Sequence, residues 1–135
     1  MRSALLIVTS LVLTACATTP VPAGQAKPTT VVLSIPMTTA TPMTGQLDIK
    51  RDVGHTGSFC AVRVTVDGKP LADLRTGEYV VAHLPSGEFV LGAQSTGICG
   101  GGDAEFPVVV KPNERRAYRV SIDQGGSIRI GPTAF

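Results

Sequence analysis

The chain has 135 residues, with 12 Lys and Arg against 10 Asp and Glu for a formal net charge of +2, a field too weak to recruit nucleic acid. It contains no Trp, four Phe and two Tyr, so platforms on which bases or sugars stack are scarce. The length suits one domain with a modest core.

At the N-terminus Arg2 gives a positive start, and Ala4 to Leu13 is an apolar run interrupted only by Thr9 and Ser10. Such a run has the length of a signal-peptide core and falls short of the roughly 18 residues that span a bilayer. Leu13-Thr14-Ala15-Cys16 then resembles the lipobox of bacterial lipoproteins. The resemblance implies a diacylglycerol thioether on Cys16, cleavage before it and acylation of the new amino group. Several acyl chains hold a protein firmly where one is reversible. In the resembled family an Asp after the cysteine retains the protein at the inner membrane; this chain has Ala17, which points to the outer membrane. A second reading stays open: Ala15-Cys16-Ala17 also fits the small-x-small pattern of ordinary signal cleavage, which would leave a soluble periplasmic or secreted product.

Residues 1–15 therefore read as a lipoprotein signal peptide and 16–44 as the lipidated cysteine with a mostly flexible tether. The stretch is rich in Thr, Pro and Ala, which bury little apolar area and favour extended backbone. A 25-residue tether would reach about 80 Å when extended. Within it Val31 to Ile35 is β-prone and stopped by Pro36, an edge strand or a sticky part of the linker.

Residues 45–135 read as the folded domain. Leu47 to Ile49 opens it, and Arg51 to Ser58 has turn composition. Cys60, Val62, Val64 and Val66 then alternate with Ala61, Arg63 and Thr65, the period of a half-buried strand. Asp67-Gly68 predicts a hairpin turn, because Gly tolerates positive φ and Asp can bond its own backbone. The return strand runs Lys69 to Leu74, with Pro70 marking an edge. Gly77 to Leu84 and Glu88 to Ala93 follow, separated by Pro85-Ser86-Gly87. After an irregular, glycine-rich stretch from Gln94 to Asp103, strands are predicted at Ala104 to Val110, Arg115 to Ile122 and Ser127 to Ile130. No interval accommodates a three-turn helix. The expected fold is all-β, a small antiparallel β-sandwich of about seven or eight short strands.

Cys60 and Cys99 remain once Cys16 is assigned to lipid. In an oxidising envelope they would form a disulfide; free thiols are the second reading. A metal pair lacks CxxC spacing, and His55 and His83 lie on different segments.

The run Val64 to Leu74, then Gly77-Glu78-Tyr79 and Leu84 to Glu88, is a strand ending in a VDG-type turn, an L-x-x-G-x-Y segment and a Pro/Gly turn into the next strand. It resembles bacterial lipoproteins and envelope proteins whose small β-sandwich is akin to PEGA and carboxypeptidase regulatory-like domains. The likeness covers about Leu47 to Ile130 in layout. It implies a fold and carries no catalytic residues, and fold alone assigns no activity.

No catalytic constellation is legible. Ser58, Ser86, Ser95 and Ser121 lack a nucleophile-elbow context. Asp67, Asp73 and Glu78 read as turn or solvent-facing charges, and the glycines before Asp103 lack the Lys and Ser/Thr of a phosphate-binding loop. The expectation is a non-enzymatic envelope lipoprotein, without metal or cofactor, whose domain holds another envelope protein, by strand addition at the Pro70 or Pro107 edge. The alternative is a module binding peptidoglycan or a surface glycan. Its candidate surface is Tyr79, the loop of Gly100, Gly101, Gly102 and Asp103, and the basic group of Arg115, Arg116 and Arg119.

Overall fold

The computed structural model describes residues 18–135; Cys16 and the signal-peptide reading lie outside them. The elements are β1 (Lys27–Pro28), β2 (Val31–Val32), a one-turn helix α1 (Ile35–Thr38), β3 (Gly45–Arg51), β4 (Val62–Val66), β5 (Lys69–Leu74), β6 (Glu78–Leu84), β7 (Gly87–Ser95), β8 (Asp103–Val110), β9 (Arg115–Ile122) and β10 (Ile128–Pro132). They form two five-stranded sheets, in the orders β1-β6-β3-β9-β10 and β2-β5-β4-β7-β8. No helix among the described residues is long and apolar enough to cross a membrane.

The two sheets share one core because each strand turns alternate residues inward. The first sheet contributes Leu47 and Ile49 from β3, Val80, Ala82 and Leu84 from β6, and Tyr118, Val120 and Ile122 from β9. The second supplies Val62, Val64 and Val66 from β4, Leu71 and Leu74 from β5, Leu91 from β7, and Val108 and Val110 from β8. Each of the Val, Leu and Ile side chains, fully removed from water, contributes roughly 1.5–3 kcal/mol before entropic costs. The expected Asp67-Gly68 turn is present, with φ of 48° and 75°, and the Asp67 carboxylate accepts from Val90 N at 2.8 Å. Opposite it the register shifts between Val64 and Thr65. The bulge leaves Leu71 O free to accept from Leu33 N at 2.9 Å.

Three features depart from the sequence reading. There are ten short strands rather than seven or eight. The second sheet is antiparallel throughout, whereas the first is mixed: β3 runs parallel to β9, and β1 parallel to β6. The chain passes through the second sheet between β3 and β9, which supplies the long crossover that a parallel pair requires. The third difference is in residues 18–44, read as a mostly flexible tether with a possible edge strand at 31–35. Thr19 and Val53 exchange backbone hydrogen bonds of 2.8 and 3.0 Å, Val21 is buried, β1 lies on the edge of β6 and β2 on the edge of β5. The composition that favours extended backbone also suits short edge strands, where a proline's missing N–H faces away from the ladder. The predicted strand from Val31 to Ile35 is shorter than expected: β2 ends at Val32, and Ile35 already opens α1, with Pro36 in its first turn.

Candidate functional site

The outward face of the first sheet carries charges in rows set by register. Across β6, β3 and β9 the rows are His83, Gln46 and Arg115; then Val81, Asp48 and Ala117; then Tyr79, Lys50 and Arg119. Asp52 follows at the end of β3. Both carboxylates are engaged. Asp48 accepts from Gln46 Nε2 at 2.8 Å and from Arg115 Nε at 2.7 Å. Asp52, nearly completely buried, is held by Arg119, whose Nε donates at 3.1 Å, and lies 3.2 Å from Thr18 Oγ1.

Lys50 is the exception. Its side chain is 5% exposed, and its Nζ is buried with no hydrogen-bond partner. Its neighbour across the ladder is Arg119, a like charge. An ammonium removed from water without a partner carries a large desolvation cost. Lys50 lines a groove of about 650 Å³ together with Asp48, Tyr79, Val81, Arg115 and Ala117. Ala117 and Val81, which flank Asp48 in register, are short side chains that leave room between Arg115 and Tyr79.

A second set of groups occupies the end of the fold where β3 finishes. Arg51 points inward in phase with Leu47 and Ile49 and is 1% exposed. Its Nη1 donates to Cys60 O at 2.6 Å and Leu74 O at 2.9 Å, and its Nη2 to Gly57 O at 2.6 Å. Burial pulls the guanidinium pKa down from its ordinary value, with the charge of Glu78 opposing; the group remains a cation at any physiological pH. The loop it holds is also stapled by a disulfide between Cys60 and Cys99, whose Cα atoms are 6.1 Å apart. Beside the bridge Phe59 and Ile98 stand in solvent, 97% and 102% exposed. Gly54 of the same loop abuts Thr18, with a built Cβ only 3.1 Å from the threonine Cα. The apolar pair and Thr18, the first described residue, therefore share one end.

The structure divides the surface grouped from sequence. Tyr79, Arg115 and Arg119 share the outward face of the first sheet. Arg116 alternates to the other side of β9 and pairs with Glu114 at 2.9 Å, which raises its pKa through that hydrogen bond. The glycine loop lies at the far edge: Gly101 O accepts from Ile128 N of β10 at 3.3 Å, and β9 and β3 separate β10 from Tyr79's strand. Gly100, Gly102 and Asp103 flank it, Asp103 opening β8. At Gly101, φ is +134° and an added Cβ would meet Gly126 O at 2.5 Å, so that glycine permits a close backbone approach. Lys50, Asp48, Asp52 and Arg51 were not singled out from sequence. The alternation Leu47, Ile49, Arg51 was the available signal for the buried arginine, while the Lys50 face looked like an ordinary wet strand.

Among the described residues no group of three or more His, Cys, Asp and Glu is arranged to hold a metal ion. His55 and Ser58 share the loop after β3, where Ser58 N donates to His55 O at 3.1 Å, whereas His83, Ser86, Ser95 and Ser121 lie on β6, the turn before β7, β7 and β9. Comparison of the chain with family models, with curated proteins and with solved structures gives no match.

Proposed function

We propose that the chain is a lipid-anchored envelope protein whose disulfide-stapled β-sandwich acts as a non-catalytic structural or protein-interaction module. The lipid is on Cys16 and the membrane is the outer one, as the lipobox-like Leu13-Thr14-Ala15-Cys16 and Ala17 suggest.

The observation that carries the reading is that Thr18 and Thr19, two and three residues after Cys16, are already paired within the fold. Thr18 Oγ1 accepts from Ile122 N at 2.9 Å, and Thr19 is paired with Val53. Two residues of extended chain reach about 7 Å. Lipid on Cys16 would thus hold the Thr18 end of the domain against the bilayer, with no long tether between them. That end bears Phe59 and Ile98, whose exposure costs apolar hydration in water and is relieved at a lipid interface. The opposite end, around Lys111, and the flat outer faces would remain available to partners. A peptidoglycan or glycan reading draws less support, because Tyr79 and the glycine loop lie on separate parts of the surface.

The chain lacks tryptophan, so a single introduced indole is a clean reporter. In lipidated protein reconstituted into vesicles containing brominated lipid, fluorescence of the F59W variant is expected to be quenched, and that of K111W unaffected. Equal quenching of both, or of neither, would contradict the proposed orientation.

A further inference from the structure

We propose that the groove over Lys50 binds a single carboxylate carried on a small, largely apolar or peptide-like group. The inference rests on the binding-module reading above and is independent of the lipid anchor. Three cations, Arg115, Lys50 and Arg119, share the outward face of β3 and β9 with two carboxylates, Asp48 and Asp52. Each carboxylate is taken by one arginine. The unmatched charge falls on Lys50, the most enclosed of the three cations.

The ligand class follows from charge and shape. One uncompensated positive charge suits a monoanion; a phosphate dianion would bring a second charge into contact with Asp48. A carboxylate reaching Lys50 Nζ would form a charge-assisted hydrogen bond. Tyr79 and the largely exposed Arg115 border the same space. Val81 and Ala117 add apolar lining, which suits methyl-sized groups next to the carboxylate. A volume of about 650 Å³ lies within the range of small-ligand sites.

The test is a chemical-shift titration of the full chain in detergent with N-acetyl-alanyl-alanine, its C-terminal amide and inorganic phosphate. The acid is expected to shift the amides of Lys50, Tyr79 and Ala117 saturably, with phosphate weaker and the amide without effect. Lys50→Met should weaken acid binding on the order of tenfold or more, the factor expected of one charge-assisted hydrogen bond, with an unchanged or higher melting temperature. Ala117→Leu, which fills the groove while leaving Lys50 in place, should abolish binding as well. Equal responses to acid and amide, preference for phosphate, undiminished binding by both variants, or no saturable response to the acid would each overturn the proposal. None of these outcomes depends on lipid at Cys16, so the orientation experiment stands apart from this one.

Discussion

Replacing Arg51 with methionine keeps a long flexible stem of similar bulk and removes the guanidinium that gathers Gly57 O, Cys60 O and Leu74 O. Each carbonyl left unpaired in the interior costs on the order of 1 kcal/mol or more. The cost of burying the cation disappears at the same time and offsets part of the loss. With Cys60 O and Leu74 O losing this donor and Gly57 O left with the Cys60 amide at 3.3 Å, the net destabilisation expected from three lost bonds to a charged group is about 3 kcal/mol. An unfolding entropy of about 2.1 cal/mol/K per residue, over a domain of roughly 120 residues, converts that to a fall of about 12 °C in Tm. Thermal melts followed by far-UV circular dichroism, with the disulfide verified intact, measure it. Hydrogen exchange should also show earlier opening at Ser58 and Cys60, whose amides donate to His55 O and Gly57 O within the loop. A Tm within about 2 °C of the parent, with unchanged exchange in the loop, would refute the claim that Arg51 organises this end of the fold.

Cys60→Ala and Cys99→Ala should each lower stability by a similar amount, up to about 4 kcal/mol on the chain-entropy estimate for a separation of 39 residues; melts that differ widely between the two would contradict a shared bridge. Gly101→Ala should cost about 2 kcal/mol or more through positive φ and collision with Gly126 O. Gly100→Ala, with nothing within 4 Å of its built Cβ, should fall within about 0.5 kcal/mol of the parent. Equal effects in denaturant titrations would show that the three glycines act as a flexible run and not through one close contact.

Local signals carried most of the strands. Asp67-Gly68 and the alternation of Tyr118, Val120 and Ile122 identify their elements because turn chemistry and a period of two are written in neighbouring residues. Pairing between distant strands is not written there. The parallel alignment of β3 with β9 depends on how the intervening chain crosses to the other sheet, and each hairpin in the sequence suggests only its own antiparallel pair. Within residues 18–44 the β-prone run at Val31 pointed to an edge strand, and Val31–Val32 pairs with β5; Lys27–Pro28 carried no such signal, since it gains its hydrogen bonds from β6 and no periodicity survives in a two-residue strand. The Lys50 site was hidden more deeply. Asp48, Lys50 and Asp52 alternate like any solvated face, and only the register against Arg115 and Arg119 decides which cation is left over. The three cysteines were more legible, since two of them in an envelope-like sequence suggest a bridge, and Cys60 and Cys99 are bridged.

Intact mass spectrometry of protein extracted from membranes, alkylated before and after reduction, is the most direct test of the anchored-module account. The account predicts a species that begins at Cys16, carries the mass of attached acyl chains and gains two alkyl groups only after reduction. A species without lipid that begins beyond Cys16 would contradict it and leave a freely diffusing secreted domain in its place.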